Sequence, residues 1–355
     1  MKILFISTKY DYGKPDRGFS WEYYNLWDSL VNMYNKKHEI KYFPYDEIIL
    51  KFGKRKMNSM LIEAVIREKP DLCFFVYSYE IDGKTIKKIR DLGFITYNWF
   101  TDDIWRFDSF SKYYAPLFDF VSTTDEVAFE KYKKIGYKGI IKTQFACNNF
   151  LYKPMKSNKK YGVAFVGQRY GNRASMIESL IRDGIKVECY GAGWANGRIT
   201  QDDMIRVFGN SKININFSAS SPSTKINLRD IAAITLRKEM DKKIYFYNPR
   251  EWMPRYALLT GRQTRRQIKG RTFEIEGTGG FQLCEYADEL EKYYKLDNEI
   301  ATFDNKKDLL NKIEYYLENE SERKKIARAG YLKTLKEHTY EKRFNAIFKE
   351  IGLVK

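Results

Sequence analysis

Apolar residues arrive in short dense runs, separated by polar stretches with helical spacing, from the first residues of the chain onward. KILFIS is a strand by this pattern, residues 8–19 form a polar loop with glycines, and Ser20 is placed to cap a helix. Trp21, Tyr24, Trp27, Val31 and Tyr34 recur at three- and four-residue spacing and so share one face of that helix. HEIKYFPY, DLCFFVYS, FITYNWF, DFVSTT and GIIKTQF read as further strands, with helices over 54–69, 83–92, 109–117 and 126–135 between them. Runs that are apolar at every position suit strands buried on both faces of a parallel sheet. Strand and helix in alternation predict an α/β protein with a doubly wound sheet.

The alternation breaks at 149–160, NFLYKPMKSNKK, which is polar, basic and holds Pro154. This is the expected linker between a first domain at 1–148 and a second at 161–338. The second opens as YGVAFVGQRYGNRASMIESLIRDG, again a strand, a glycine loop and a helix. Two such openings imply two Rossmann-like domains, each with its ligand site beyond the carboxyl ends of its strands, facing across a cleft. Residues 339–355 form a last amphipathic helix with Phe344, Ile347 and Phe348 on one side.

Candidate chemistry gathers in the second domain. RTFEIEGTGGFQLCEYADELE, from Arg271, carries a basic residue, Glu274, and the turn Gly277, Thr278, Gly279, Gly280. Glycines let backbone N–H groups come close to a phosphate, and an acid upstream can accept hydrogen bonds from a ribose. The alternative is an ordinary helix-to-strand connection. Gly167, Arg169, Gly171 and Arg173 follow the domain's first strand, where a guanidinium can hold two phosphate oxygens; solvated loop charges are the plainer reading. The strand IKVECY ends at Tyr190 and continues into Gly191, Ala192, Gly193 and Trp194, open backbone and an aromatic suited to flank a base.

The run R-x-F-E-x-x-x-x-G-G-F from Arg271, then Glu299, Ile300 and Phe303, then KIEYYLENESERKKIARAG, and finally His338 and Thr339, together resemble the C-terminal half of CgeB-like glycosyltransferases of the spore maturation protein type. These are GT-B enzymes related to the large retaining family 4. The resemblance is dense from residue 271 on, thinner over the N-terminal half, and fails across 222–267. It implies a GT-B fold, a nucleotide-sugar co-substrate (most commonly a UDP-sugar), no metal or other cofactor, and a hexosyl transfer. It also implies that Gly167 and Arg173 face the donor phosphates with Arg271 and the Gly279–Gly280 backbone, that Glu274 binds ribose, and that the last helix returns to the first domain. Asp102 and Asp103 match a W-F-x-D-D element after FITYNWF; either is a candidate base for an inverting reaction, with Asp16 and Glu22 as rivals, and a helix cap before Ile104 as the structural alternative. A retaining reaction needs no such base. His338 is expected to be a structural contact.

The segment 222–267 departs from that family. From Arg237 to Arg271 it holds eleven basic residues against three acids, interleaved with Tyr245, Phe246, Tyr247, Trp252, Met253, Tyr256, Leu258 and Leu259. Such a mixture suits single-stranded nucleic acid, an acidic glycan or an anionic membrane, or else packs as a helical elaboration with solvated arginines. Flanked by donor-facing elements, it is expected to emerge beside the donor loops, with Arg255, Arg262, Arg265 and Arg266 reaching an anionic acceptor.

Composition narrows the classes further. The 355 residues suit two domains, 43% hydrophobic and 16% aromatic content supports packed cores, and a net charge of +17 calls for an anionic partner. Cys73, Cys147, Cys189 and Cys284 lie far apart in apolar segments, which predicts reduced core thiols. His38 and His338 are too few for a structural zinc. No uncharged run approaches membrane-spanning length, and MKILFIS is short for a signal peptide, so the expected location is cytoplasmic or peripheral to a membrane. Two rivals stay open: a transferase acting on nucleic acid bases, and a non-catalytic GT-B-like protein binding nucleic acid or membrane through the insert. Sugar, acceptor, stereochemistry and oligomeric state are not encoded legibly.

Overall fold

The computed structural model describes residues 1–34, 38–76, 79–156, 158–218, 228–240, 242–260 and 265–354. Its strands are β1 (Lys2–Ser7), β2 (Glu39–Pro44), β3 (Leu72–Phe75), β4 (Thr96–Trp99), β5 (Phe120–Thr123), β6 (Ile140–Lys142), β7 (Tyr161–Val166), β8 (Val187–Tyr190), β9 (Ser211–Asn216), β10 (Leu236–Lys238), β11 (Ile244–Phe246), β12 (Gln282–Glu285) and β13 (Ala301–Phe303). They fall into two compact units, the first made of Met1–Gln144, Leu228–Tyr256 and Tyr340–Lys355, the second of Phe145–Asn227 and Ala257–Thr339.

The first unit is built on a six-stranded parallel sheet in the order β2-β1-β3-β4-β5-β6. Ile3, Leu4, Phe5 and Ile6 and the whole of β3 are buried because helices cover both faces. The strand order reverses between β1 and β3, and that switch point opens a crevice beyond their carboxyl ends. The terminal helix Tyr340–Ile351 packs on this unit through Phe344 against Phe74 and Phe348 against Tyr34. Two sequence expectations need adjusting. Ser20 does cap the first helix, accepting from the Tyr23 amide at 3.1 Å, but the helix opens with a wide turn over Tyr23–Trp27 before Asp28–Tyr34. The expected helix over 109–117 is broken into short pieces around Phe107–Ser111, Lys112–Tyr114 and Ala115–Leu117.

The second unit holds a five-stranded parallel sheet in the order β13-β12-β9-β7-β8, reversing at β7 and β9. Its core gathers Phe165, Ile177, Ile213, Ile215, Leu283 and Phe303.

The insert was expected to elaborate the second domain, and residues Leu228–Tyr256 of it do not. This stretch packs with the first unit. It consists of a helix Leu228–Thr235, an antiparallel ribbon of β10 and β11 (Leu236↔Phe246, Arg237↔Tyr245, Lys238↔Ile244), and a helix opening at Trp252. Residues 219–227 and 261–264, Arg262 among them, lie outside the described residues. The reason for the placement is specific bonding. Buried Glu239 holds Lys54 at 3.0 Å and Arg237 at 2.8 Å, and the Met240 amide donates to Glu80 at 2.8 Å.

All four cysteines are buried free thiols. No helix among the described residues is long and apolar enough to cross a membrane.

Candidate functional site

The carboxyl edge of the first sheet opens into a cavity of about 560 Å³. Its walls are Thr8 beyond β1, Val76, Tyr79 and Glu80 beyond β3, and Phe100, Thr101 and Asp102 beyond β4, with Trp21 and Glu22 from the first helix. The β1 loop is held by Asp46, whose carboxylate accepts from the amides of Lys9 (2.9 Å) and Tyr10 (2.8 Å). Burial pushes the Asp46 carboxyl up, and those two bonds oppose the shift. Tyr12, at the tip of the loop, is left-handed (φ 54°) and 71% exposed.

Three stretches of the insert and its support close the cavity. Arg237, Glu239, Met240 and Tyr247 line it. Arg237 stacks 4.0 Å over the Tyr79 ring, the Tyr79 hydroxyl donates to Glu251 at 2.5 Å and accepts from Arg106 at 3.1 Å, and Arg255 lies 3.3 Å over Tyr247. Gly13, with φ 65°, lets Met240 approach so closely that a Cβ there would stand 2.8 Å from its Cε. Arg237 and Arg255 are thus spent on rings and carboxylates of their own unit, and Arg250, over Tyr113 at 3.7 Å, repeats the pattern, while Arg265 pairs with Asp288 in the second unit.

The acid candidates separate by depth. Asp102 lines the cavity. Its neighbour Asp103 points inward, is buried, and bonds with Tyr132 (3.2 Å), Ser111 and Thr123. Burial pushes its carboxyl up to about 6. Asp103 is therefore a structural acid, a correction to its expected place beside a reacting hydroxyl. Asp16 is exposed and outside the cavity lining, a second correction. Glu22, a rival in the sequence, is in the lining, and its carboxyl is raised, first by burial and then by the charges of Asp11 and Asp46. Trp99 also lines the cavity, and its indole N–H has no protein partner among the described residues. A buried donor left so invites an acceptor oxygen.

In the second unit, the loops after β7 and β8 lock together at the carboxyl edge. The Gly167 amide donates to the Tyr190 carbonyl (2.8 Å), the Arg169 amide to Ala192 (2.9 Å), and the Trp194 indole to the Gly167 carbonyl (3.0 Å). Gly191 is required here: φ is 127°, and a Cβ would fall 2.2 Å from the Gly167 oxygen. Arg173 stands on the first turn of the helix Gly171–Arg182, where burial lowers its pKa and the Glu285 carboxylate opposes that. Glu285 ends β12 and accepts from the Ser218 amide, beyond β9, at 3.1 Å. Arg173, Ser218 and Glu285 thus share the edge at the sheet's switch point.

The other expected donor residues are held by partners of their own. Arg169 is tied to Glu178, Nε to Oε1 3.1 Å. The Tyr190 ring leans back toward Tyr161, at 6.4 Å, so only its backbone serves the loop. Arg271 and Glu274 pair with one another at 2.9 Å, and Glu274 is buried against Cys147 and Tyr152. The turn Thr278–Gly279–Gly280 joins the helix Gly270–Gly277 to β12, which puts it at the edge where the parallel strands begin, a strand's length from Arg173. Its amides are already used: Gly279 donates to Glu276 (2.9 Å) and Gly280 to Ile275 (3.3 Å), and the Thr278 hydroxyl donates to Ile275 (2.7 Å). The phosphate role expected for the Gly279–Gly280 turn is corrected to a structural one, whereas Arg271 and Glu274 stand in the first turns of the helix Gly270–Gly277, where Thr272 accepts from the Asn216 side chain at the end of β9 (3.1 Å). Sequence reasoning missed Trp99, Tyr79, Ser218 and Glu285; each ends a strand or lies within four residues of a strand's carboxyl end, and that placement was the available signal.

Two parallel α/β units of this topology, joined in one chain, make the GT-B fold, and comparison with solved structures agrees. HepE of Anabaena, solved with UDP-glucose, superposes with TM-score 0.56 at 10% identity, covering 99% of both chains. Sucrose-phosphate synthase of Thermosynechococcus elongatus gives TM-score 0.60 at 8% identity, over 99% of this chain and 98% of that one. Residues 243–349 match the family described as glycosyl transferase-like. The spore protein CgeB of Bacillus subtilis (strain 168) is 20% identical over 344 residues, 96% of each chain. The chain thus has a GT-B fold, is similar to CgeB over nearly its whole length, and matches a glycosyl transferase-like family over its C-terminal segment.

Proposed function

We propose that this chain is a glycosyltransferase that moves a hexosyl group from a UDP-sugar, bound on the second unit, to a hydroxyl of an acceptor bound in the first unit's cavity. The observation that carries the reading is the carboxyl edge of the second sheet, where Arg173 and Glu285 stand beside closely crossed glycine loops. A neighbour of the same fold, HepE, was solved with UDP and with UDP-glucose. The Arg173 guanidinium takes the charge that develops on the departing diphosphate, the task a divalent cation performs in other transferases, so transfer proceeds without metal. Glu285 is positioned to accept from hydroxyls of the donor.

In the cavity, Asp102 and Glu22 supply carboxylates and Trp21, Trp99 and Tyr247 supply apolar faces and donors. Carboxylates with aromatic faces suit a polyol. A carboxylate whose pKa is raised toward neutrality is also a better acceptor for a hydroxyl proton, which favours Glu22 as base should the reaction invert. With Arg237, Arg250 and Arg255 committed inward, an acceptor that is a polyanion finds fewer partners here than the sequence promised. The test is calorimetry with UDP, GDP and ADP, followed by turnover of UDP-sugars in EDTA. Selective UDP binding that is lost in Arg173→Ala supports the reading; equal, weak binding of all three nucleotides refutes it.

A further inference from the structure

The insert's ribbon has two faces of opposite character, and the usual order is inverted. Arg237 and Tyr245, one cross-strand pair, turn inward. Beside Tyr245 on β11, Ile244 and Phe246 turn outward, 66% and 73% exposed. Met253, Leu228 and Ile231 are 66, 84 and 49% exposed on the flanking helices. Lys238, Lys242 and Lys243 are exposed at the same end of the ribbon, while Glu239 and Glu251 are buried. A single exposed isoleucine needs no explanation; five large apolar side chains within one basic segment do.

We propose that this outer face docks the protein on an anionic lipid bilayer. Ile244 and Phe246 enter the interface between headgroups and acyl chains, and the lysines around the β10–β11 turn meet the lipid charges. Apolar insertion and electrostatic attraction together give reversible binding, each being weak alone. The lipid surface is favoured over nucleic acid because stacking on bases needs aromatic faces beside phosphate-binding arginines, and Arg237, Arg250 and Arg255, the arginines nearest these rings, are occupied. The net charge of +17 adds long-range attraction of the same sign.

The test is co-sedimentation of the full chain with vesicles of phosphatidylcholine alone and of phosphatidylcholine with phosphatidylglycerol. Binding is expected only to the anionic vesicles. It should fall on the order of tenfold or more in Ile244→Ser/Phe246→Ser, and by a smaller factor in Lys242→Glu. Added salt should weaken it without abolishing it. UDP affinity, circular dichroism and melting temperature should match the parent, since these side chains are exposed. The proposal is overturned if the parent ignores anionic vesicles, if the folded double variant binds them equally well, or if sedimentation velocity shows that the two residues instead hold two copies together.

Discussion

The two parallel sheets end in different kinds of site. At the carboxyl edge of the first, side chains do the work: carboxylates, indoles and a guanidinium-stacked tyrosine enclose about 560 Å³, with walls brought from distant parts of the chain. At the edge of the second, backbone does the work, because Gly167 and Gly191 cross so closely that a Cβ would stand 2.2 Å from a carbonyl oxygen, and one partly buried arginine supplies charge. The contrast teaches what each can hold. Open backbone with a cation suits a diphosphate, whose oxygens demand donors, whereas mixed carboxylate and aromatic walls suit hydroxyls.

The sharpest way to break this division is to exchange its consequences. Glu22→Gln and Asp102→Asn should lower turnover, the effective one by about 100- to 10,000-fold, with UDP affinity unchanged by calorimetry. Arg173→Ala should do the reverse at the binding step, weakening UDP by about 1.5 to 3 kcal/mol. If both acid variants turn over normally, the cavity binds an acceptor without a carboxylate base, and the reaction is retaining.

A somewhat smaller effect tests whether the first site depends on the insert. Glu239 is buried and answers Lys54 at 3.0 Å and Arg237 at 2.8 Å. Glu239→Ala strands two cations, each still about one-fifth exposed (22 and 20%). The cost should lie near the low end for a broken buried pair, about 3 kcal/mol. Because the loss is local, amides of β10 and β11 should exchange faster while those of β12 do not change. Equal protection in parent and variant would show that the ribbon is held by its stacked rings alone.

These elements also show what could be read in advance. Both sheets were legible, since strands such as β3 and β7 are apolar without interruption and recur between helices. The Gly279–Gly280 turn misled for a directional reason: in a parallel sheet a helix-to-strand turn returns to the edge where strands begin, while ligands sit at strand-to-helix loops. Gly167 and Arg173 obey that rule. The insert's destination was hidden because its anchoring bonds, Met240 to Glu80 and Lys54 to Glu239, span 160 and 185 residues of chain, and pairing at such separation leaves no local pattern.

Depth within the first site gives a pH prediction. Asp103, beside cavity-lining Asp102, has a folded pKa of about 6 against an ordinary 3.8, chiefly through burial. The folded state therefore binds this proton more tightly than the unfolded state does. Its stabilising contribution is complete below the ordinary value and is lost as pH rises through about 6. Asp103→Asn, which stays neutral, should flatten that part of the stability curve by about 2 kcal/mol, and urea midpoints between pH 4 and 7 should decline less than the parent's. An unchanged slope would move the proton to Glu22, Asp46 or Glu276, whose carboxyls are also raised by burial.

The smallest effect concerns Tyr12, which stands at the first site's loop tip in the left-handed region that a glycine would occupy freely. Holding a tyrosine there costs about 1 to 2 kcal/mol. Tyr12→Gly removes that strain, but it adds about 0.5 to 1 kcal/mol of backbone entropy to the unfolded chain. It also removes the ring over which Arg17 lies at 5.3 Å, an exposed contact contributing about 0.5 kcal/mol. The terms nearly cancel, so the melting temperature should hardly move. If the ring serves the cavity it borders, acceptor KM should rise while UDP affinity and melting stay fixed. Should stability rise and acceptor KM stay constant, Tyr12 is strain without a role in binding, and the side-chain character of the first site rests on its deeper walls.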